Sequence, residues 1–362
     1  MSVYIHIPFC DNICSYCDFA KFYYNESWVD KYLCALESEI KSNYKNEVIN
    51  TIYIGGGTPS SLNIEQLKKL FEIIKIFNVS DDLEFTFECN VNLSLDKIKL
   101  LKDNNVNRIS IGIESVLEKK LKILNRNHTK EKVIKLIKLL KEYNFNINCD
   151  LIYAVPGEDL KDLESDLDFL IDLDINHIST YSLIIEPHTK LYINNTKNID
   201  EDLDCEMYEF INKKLSGNGF VHYEVSNFAK NNYQSKHNLV YWNNECYYGF
   251  GIGASGYVNN IRYDNTKSFN EYINGNYILN KNKLTKEENL ENEFILGLRK
   301  IEGIDINKFK NKYNIDILSI DIVNKLLKEN KLEIKNNKLR INDKYIYISN
   351  SILVDFIGAF DK

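Results

Sequence analysis

Residues 4–19 read Tyr4-Ile-His-Ile-Pro-Phe-Cys10-Asp-Asn-Ile-Cys14-Ser-Tyr-Cys17-Asp-Phe19. The β-branched and aromatic run Val3–Ile7 predicts a strand. A Cys-x3-Cys-x2-Cys loop follows it at once. Three thiolates this close together suit a metal that prefers soft sulfur ligands. A cubane iron–sulfur cluster normally takes four cysteines. Three local ones leave one iron open to an outside ligand, which makes such a site chemical as well as structural. The competing reading is a structural zinc site, which wants a fourth protein ligand. His6 is the nearby candidate, and a strand over Val3–Ile7 places it poorly to fold back.

Outward from this loop, short strands alternate with segments of helical periodicity. Strands are predicted at Val3–Ile7, Thr51–Ile54, Leu83–Cys89, Arg108–Ile113, Ile147–Val155 and His177–Ile185. Helices are predicted at Trp28–Tyr44, Ile64–Phe77, Leu95–Asp103, Lys130–Tyr143, Asp159–Leu173 and Asp202–Leu215. Ser27 with Asp30, and Asn63 with Gln66, resemble capping boxes at two helix starts. Six strands, each followed by a helix, imply an α/β protein with a parallel sheet and right-handed crossovers. A doubly wound sheet and a partial barrel both fit that count. After about residue 216 the pattern breaks, and Tyr241–Tyr257 reads as irregular. From about Glu287 the chain turns helical, and Lys310–Arg340 resembles the helix–helix–hairpin of a winged helix. The expected division is therefore 1–216 as the core, 217–286 as a flanking segment and 287–362 as a smaller α+β domain.

Composition narrows the classes. The chain has 362 residues, 44% hydrophobic and 27% charged, with a net charge of −7. That balance argues against a nucleic-acid binder or a general membrane-surface binder. Five of the eight cysteines are scattered, unlike a disulfide framework. The start lacks a basic segment followed by an apolar run, so no signal peptide is expected. No apolar stretch is long enough to span a bilayer, although peripheral membrane contact stays open. A cytoplasmic protein with reduced thiols is expected.

Most of the remaining chemistry-bearing residues fall at or near strand ends. Gly55-Gly56-Gly57-Thr58-Pro59-Ser60 follows the second strand. Three glycines permit close backbone approach and expose amides; a bland turn is the alternative, and the Lys-Ser/Thr pair of a P-loop is missing. Glu88 ends the third strand, either as a ligand group or as a solvated carboxylate. Arg126 belongs to a residue type present only five times against forty lysines. A guanidinium there would match a carboxylate in two-pronged geometry, or simply carry surface charge; nearby His128 reads as structural. Asp150 sits inside an apolar run, where a carboxylate is costly unless partnered. The cysteine loop, Gly55–Gly57, Glu88, Glu114 and Asp150 lie at or near the later ends of successive strands. In a barrel those ends converge on one face, which favours the barrel over the open sheet.

The cysteine spacing, with Tyr16 just before Cys17, resembles the radical S-adenosylmethionine (SAM) superfamily. That resemblance implies a partial (β/α)6 TIM-like barrel, with a [4Fe–4S] cluster held by Cys10, Cys14 and Cys17. It also implies SAM chelating the open iron and an electron donor for the cluster. Reductive cleavage of SAM would release a 5′-deoxyadenosyl radical. The implied cofactor contacts are Tyr4, Tyr16, Gly56, Gly57, Thr58, Glu88, Glu114, Arg126 and Asp150. In the family the segment from Glu88 reads Glu-x-Asn-Pro, where this chain has Val91 for the Pro. Gln usually stands at position 114, and Gly at position 154.

Within the superfamily the whole chain is most similar to the oxygen-independent coproporphyrinogen III oxidase-like group. Three features favour its heme chaperone branch (HemW type) over the decarboxylating dehydrogenase. Phe19 stands where the oxidase usually has a further cysteine. The oxidase's long extension before the Tyr-x-His-Ile-Pro segment is not seen. His237-Asn-Leu-Val-Tyr241-Trp242 matches a motif typical of the chaperones. Heme is thereby implied as a ligand, with His237 as its candidate iron ligand and an unidentified acceptor protein as partner. His237 could equally be a hydrogen-bonded core residue in an aromatic brace. Glu293–Arg299 and Gly303 resemble the start of the group's shared C-terminal domain. The alternative function is oxygen-independent coproporphyrinogen III dehydrogenase. No catalytic residue is assigned, and whether the chain is an enzyme stays open.

Overall fold

A computed structural model describes residues 1–360. Six parallel strands carry the core: β1 (Ser2–Ile7), β2 (Ile49–Gly56), β3 (Val79–Cys89), β4 (Arg108–Glu114), β5 (Asn146–Tyr153) and β6 (His177–Ser182). Between and after them run α1 (Glu26–Asn43), α2 (Ile64–Ile74), α3 (Leu95–Asp103), α4 (Lys130–Glu142), α5 (Leu160–Asp172) and α6 (Glu201–Gly217). This is the strand–helix alternation expected from the sequence.

The strands alternate in a way that explains the fold. Ile5, Ile54, Phe87, Ile109, Ile111 and Cys149 are buried in the core on the helix side. The residues between them are polar. Tyr53, Glu88, Arg108, Ser110, Asn148 and Asp150 line an internal cavity. Period 2 along a strand sends neighbours to opposite faces, so one face buries apolar surface under helices while the other builds a polar interior. Helix α2 shows the outer packing: Leu67, Leu70, Phe71 and Ile74 are buried, each contributing roughly 1.5–3 kcal/mol over an exposed side chain.

Of the two expected capping boxes, Asn63–Gln66 is formed in full. Ser27–Asp30 is not. Helix α1 starts at Glu26 and is capped by Asn25, whose side chain accepts from the Trp28 amide at 3.1 Å. Asn25 carries the extended backbone a cap needs, and Ser27 donates to the Asn25 side chain instead.

Residues 217–286 join the sheet at both edges. The strands β7 (Val221–Glu224) and β8 (Asn227–Ala229) extend it beyond β6. At the other edge lie β9 (Tyr247–Phe250), β10 (Ser255–Val258), β11 (Ile261–Asn265) and β12 (Ile278–Lys283). The order is β12-β11-β10-β9-β1-β2-β3-β4-β5-β6-β8-β7. The stretch Tyr241–Tyr257, expected to be irregular, therefore holds a strand parallel to β1, with Val3 opposite Tyr248. Tyr-Tyr-Gly-Phe is too short to show a period, and its pairing is fixed from across the chain.

From Lys286 the chain builds a second core around Phe294, Phe309, Leu326, Leu339 and Phe356. Helices Ile306–Tyr313 and Asp321–Lys328 precede a hairpin of Leu332–Lys335 with Lys338–Ile341, matching the expected winged-helix order. Among the described residues no helix is long and apolar enough to cross a membrane.

Candidate functional site

The cysteine loop is fixed from several sides. Asn125 holds its start, its side chain donating to the Ile13 carbonyl at 2.8 Å. Ser15 donates to the Ile123 carbonyl at 2.5 Å, and its own carbonyl accepts from the Leu191 amide at 3.0 Å. Lys21 reaches back to the Cys17 carbonyl at 2.6 Å. Cys10, Cys14 and Cys17 are free thiols on one cavity of about 530 Å³. Burial pushes the Cys10 thiol up to about 11.

The glycine turn lies against β1. The Gly57 amide donates to Ile7 at 2.9 Å and the Thr58 amide to Phe9 at 2.8 Å. Gly56 has φ +111, and a Cβ there would stand 2.5 Å from the His6 ring. Only glycine accepts both demands. Glu88 packs over the same turn, accepting from the Gly56 amide at 3.0 Å and from the Tyr53 hydroxyl at 2.7 Å. Burial raises its pKa from the usual carboxylate value.

His6 is spent beneath the turn. Its Nε2–H donates to the Ala20 carbonyl at 2.8 Å, so Nδ1 accepts from the Tyr4 hydroxyl at 2.9 Å. Burial lowers the ring to about 4, and it is neutral with both nitrogens engaged. It offers no lone pair to a zinc ion in the loop. Tyr4 is likewise turned to His6 and is not part of the cavity wall.

Beside the cysteine loop, Arg126 ion-pairs with Glu114 through Nη2, and the Tyr16 hydroxyl donates to the same carboxylate oxygen at 2.9 Å. The carboxylate at position 114, where an amide was expected, thus meets a cation. Glu114 has φ +64, an uncommon backbone for a side-chain-bearing residue. A buried network holds it: Asp166 accepts from Ser115 and from the Val116 amide, and Lys120 joins Asp166 to Glu158. His128 bonds the Ser115 carbonyl at 3.1 Å, a structural use.

Deeper in, Asp150 accepts from Asn148 at 2.8 Å and Ser110 at 3.5 Å. Burial, then the charges of Glu114 and Glu88, push its pKa up to about 7. Thr58, Gly57 and Asp150 complete the predicted residues on the wall. The structure adds Arg108, Ser110 and Asn148 from the strands, and Phe19 and Ile184 at the mouth. The period-2 polar positions of β4 and β5 were the signal for the first three.

His237 is not brought to the cavity. It is 1% exposed, with Nδ1 on Thr51 at 2.7 Å and Nε2 on the Tyr241 hydroxyl at 2.8 Å. Burial, then Arg108, lowers it to about 3. Its ring stands 5.2 Å from that of Tyr53. Of the two readings of His237, heme ligand or hydrogen-bonded brace, this geometry has the brace: both nitrogens are occupied, and the ring ties β2 to the helix Lys236–Trp242.

The residues present fit a sulfur-ligated cluster and a zwitterionic cofactor. Three thiols of soft donor type line the same cavity, and Arg126 Nε is buried without a hydrogen-bond partner among the described residues.

The Radical SAM superfamily pattern matches residues 4–170, and the HemN C-terminal domain matches residues 284–346. The heme chaperone HemW of Lactococcus lactis is 41% identical, covering 95% of this chain and 91% of that one. HemW of Bacillus subtilis is 38% identical over 99% of each. The solved coproporphyrinogen III oxidase (HemN) of Escherichia coli superposes with a TM-score of 0.86 at 21% identity, covering 98% of this chain and 89% of that one. That likeness shows the fold, while the sequence relatives show that the chain belongs to the heme chaperone HemW family, built on the radical SAM barrel.

Proposed function

We propose that this protein binds heme at the barrel mouth and hands it to an acceptor protein. The observation that carries the reading is the apolar lip of the cavity. Phe19 is 62% exposed and Ile184 65% exposed, and both line the cavity that holds the cysteines. Large exposed apolar side chains around a concave site mark a place for an apolar partner. Heme is a flat apolar macrocycle with acidic edges. A ring of this kind covers Phe19 and Ile184 while its carboxylates reach polar groups further in.

In this reading Cys10, Cys14 and Cys17 hold a [4Fe–4S] cluster. The Gly56–Thr58 turn, Glu88, Asp150 and Arg126 hold SAM, and Tyr16 orients Glu114. Tyr4 contributes indirectly, by fixing the His6 ring under Gly56. When bound, the cluster supplies a one-electron reductant beside the cofactor. Arg126, fixed by Glu114, offers its remaining N–H groups to a carboxylate. Glu88 orients through Tyr53 and the Gly56 amide. The eight free thiols support a reducing, cytoplasmic setting.

The test is anaerobic reconstitution followed by heme titration and a coproporphyrinogen III assay. Stoichiometric heme retained through gel filtration, weakened at least tenfold by Phe19→Asp, supports the reading. Conversion of coproporphyrinogen to protoporphyrinogen would overturn it in favour of the dehydrogenase.

A further inference from the structure

Arg108 begins β4 and faces the cavity interior. It is 2% exposed, and its Nε, like those of Arg126 and Arg262, has no hydrogen-bond partner among the described residues. Each of the other four arginines has a side-chain partner: Arg126 with Glu114, Arg262 with Asn244, Arg299 with Asn350, Arg340 with Glu333. Two acids that line the same cavity are committed elsewhere. Glu88 is taken by Tyr53 and the Gly56 amide, Asp150 by Asn148 and Ser110. Directly across the strands, Arg108 pairs in register with Thr86 and Asn146. Thr86 Oγ1 and Asn146 Oδ1 are also buried without partners.

A buried guanidinium nitrogen without a hydrogen bond is costly, because its lost hydration is not replaced. Native structures leave few such groups, and each calls for an explanation. Arg108 is also separated from the cofactor end of the wall. Arg108 and Glu114 stand at opposite ends of β4, six residues or roughly 20 Å apart along the strand. Arg126, bound to Glu114, serves the end near the cysteines. The cavity thus has one arginine near its mouth and another at its floor.

We infer that Arg108 is a carboxylate-binding subsite at the floor of the cavity, receiving an acid group of the molecule bound there. The planar fork of five donors matches a carboxylate in two-pronged fashion. Two sources share this chemistry, a heme propionate and the amino-acid carboxylate of SAM. The separation from Arg126 favours the propionate, and that half of the assignment rests on the heme-binding reading above.

The experiment uses anaerobically reconstituted full-length protein, titrated with heme, with heme dimethyl ester and separately with SAM. Wild type is compared with Arg108→Met and Arg108→Lys, after melting curves show which variants are folded. Wild type is expected to prefer heme to its ester by about 10- to 100-fold, the range of a charge-assisted hydrogen bond. Arg108→Met loses that preference and Arg108→Lys keeps part of it, while SAM affinity is unchanged. A loss of SAM affinity with heme unaffected supports the subsite and assigns its carboxylate to SAM. If wild type takes up no heme, the heme-carrying reading fails and the SAM arm alone decides for or against the subsite. Equal binding of heme and ester by wild type, with SAM affinity unmoved in a folded variant, overturns the inference. If Arg108→Met does not fold, the wild-type comparison and Arg108→Lys decide between these outcomes.

Discussion

Replacing Lys120 by Met tests the frame that presents Glu114. Lys120 lies in the helix Glu118–Leu124. Its Nζ stands 2.5 Å from Glu158 and 2.9 Å from Asp166, and all three side chains are at most 1% exposed. Asp166 also takes Ser115 at 2.7 Å and the Val116 amide at 2.9 Å, and Glu158 takes the Val155 amide at 2.9 Å. One cation therefore ties the turn after β4 and the turn after β5 to α5. Its removal leaves two buried carboxylates uncompensated, a cost of about 3–5 kcal/mol. At about 2 °C per kcal/mol for a chain of this size, the melting temperature falls by roughly 6–10 °C. Thermal and urea unfolding followed by circular dichroism measure this. The triple variant Lys120→Met/Glu158→Gln/Asp166→Asn removes all three charges and recovers most of the loss. Unfolding of Lys120→Met within about 1 kcal/mol of wild type would show instead that the two acids need no cation.

Three further outcomes are expected. Ala154 has φ +61 and is buried. Ala154→Gly relieves a left-handed strain of roughly 1–2 kcal/mol, less the extra unfolded-state entropy of glycine, for a net gain of about 0.5–1 kcal/mol by urea unfolding. Gly56→Ala adds a Cβ against the His6 ring at positive φ; SAM binding by equilibrium dialysis is expected to fall at least tenfold, about 1.4 kcal/mol. Glu39 is buried and accepts from the Gly251 amide, Asn265 and Tyr272. Burial raises its pKa to about 7. The folded state therefore favours the protonated form, and this stability is complete below the unfolded pKa and is lost as pH rises through about 7. Glu39→Gln is expected to flatten the pH 5 to 8 stability profile by roughly 3 kcal/mol.

The barrel was legible because its outer strand residues are uniformly apolar and its helices carry their own spacing. The cysteine loop was legible because three ligands share eight residues. What escaped depends on partners distant in the chain. The strand β9 is four residues long and gains its identity only beside β1. The partners of His237, Thr51 and Tyr241, lie 186 and 4 residues away, and the sequence alone names neither. Asn25 and Ser27 are both capping types two residues apart, and only the backbone angle decides between them. Arg108 carried no signal of isolation, because its lack of a partner follows from where Glu88 and Asp150 spend their oxygens.

The cofactor site proposed in the cavity depends on an open iron beside it. The direct measurement is electron paramagnetic resonance of the reduced, anaerobically reconstituted protein, with and without SAM, alongside iron, sulfide and zinc analysis. Iron and sulfide in equal amounts are predicted, with a signal that shifts on adding SAM and is lost in Cys14→Ala. Zinc bound without sulfide, or a cluster signal indifferent to SAM, would contradict the open iron.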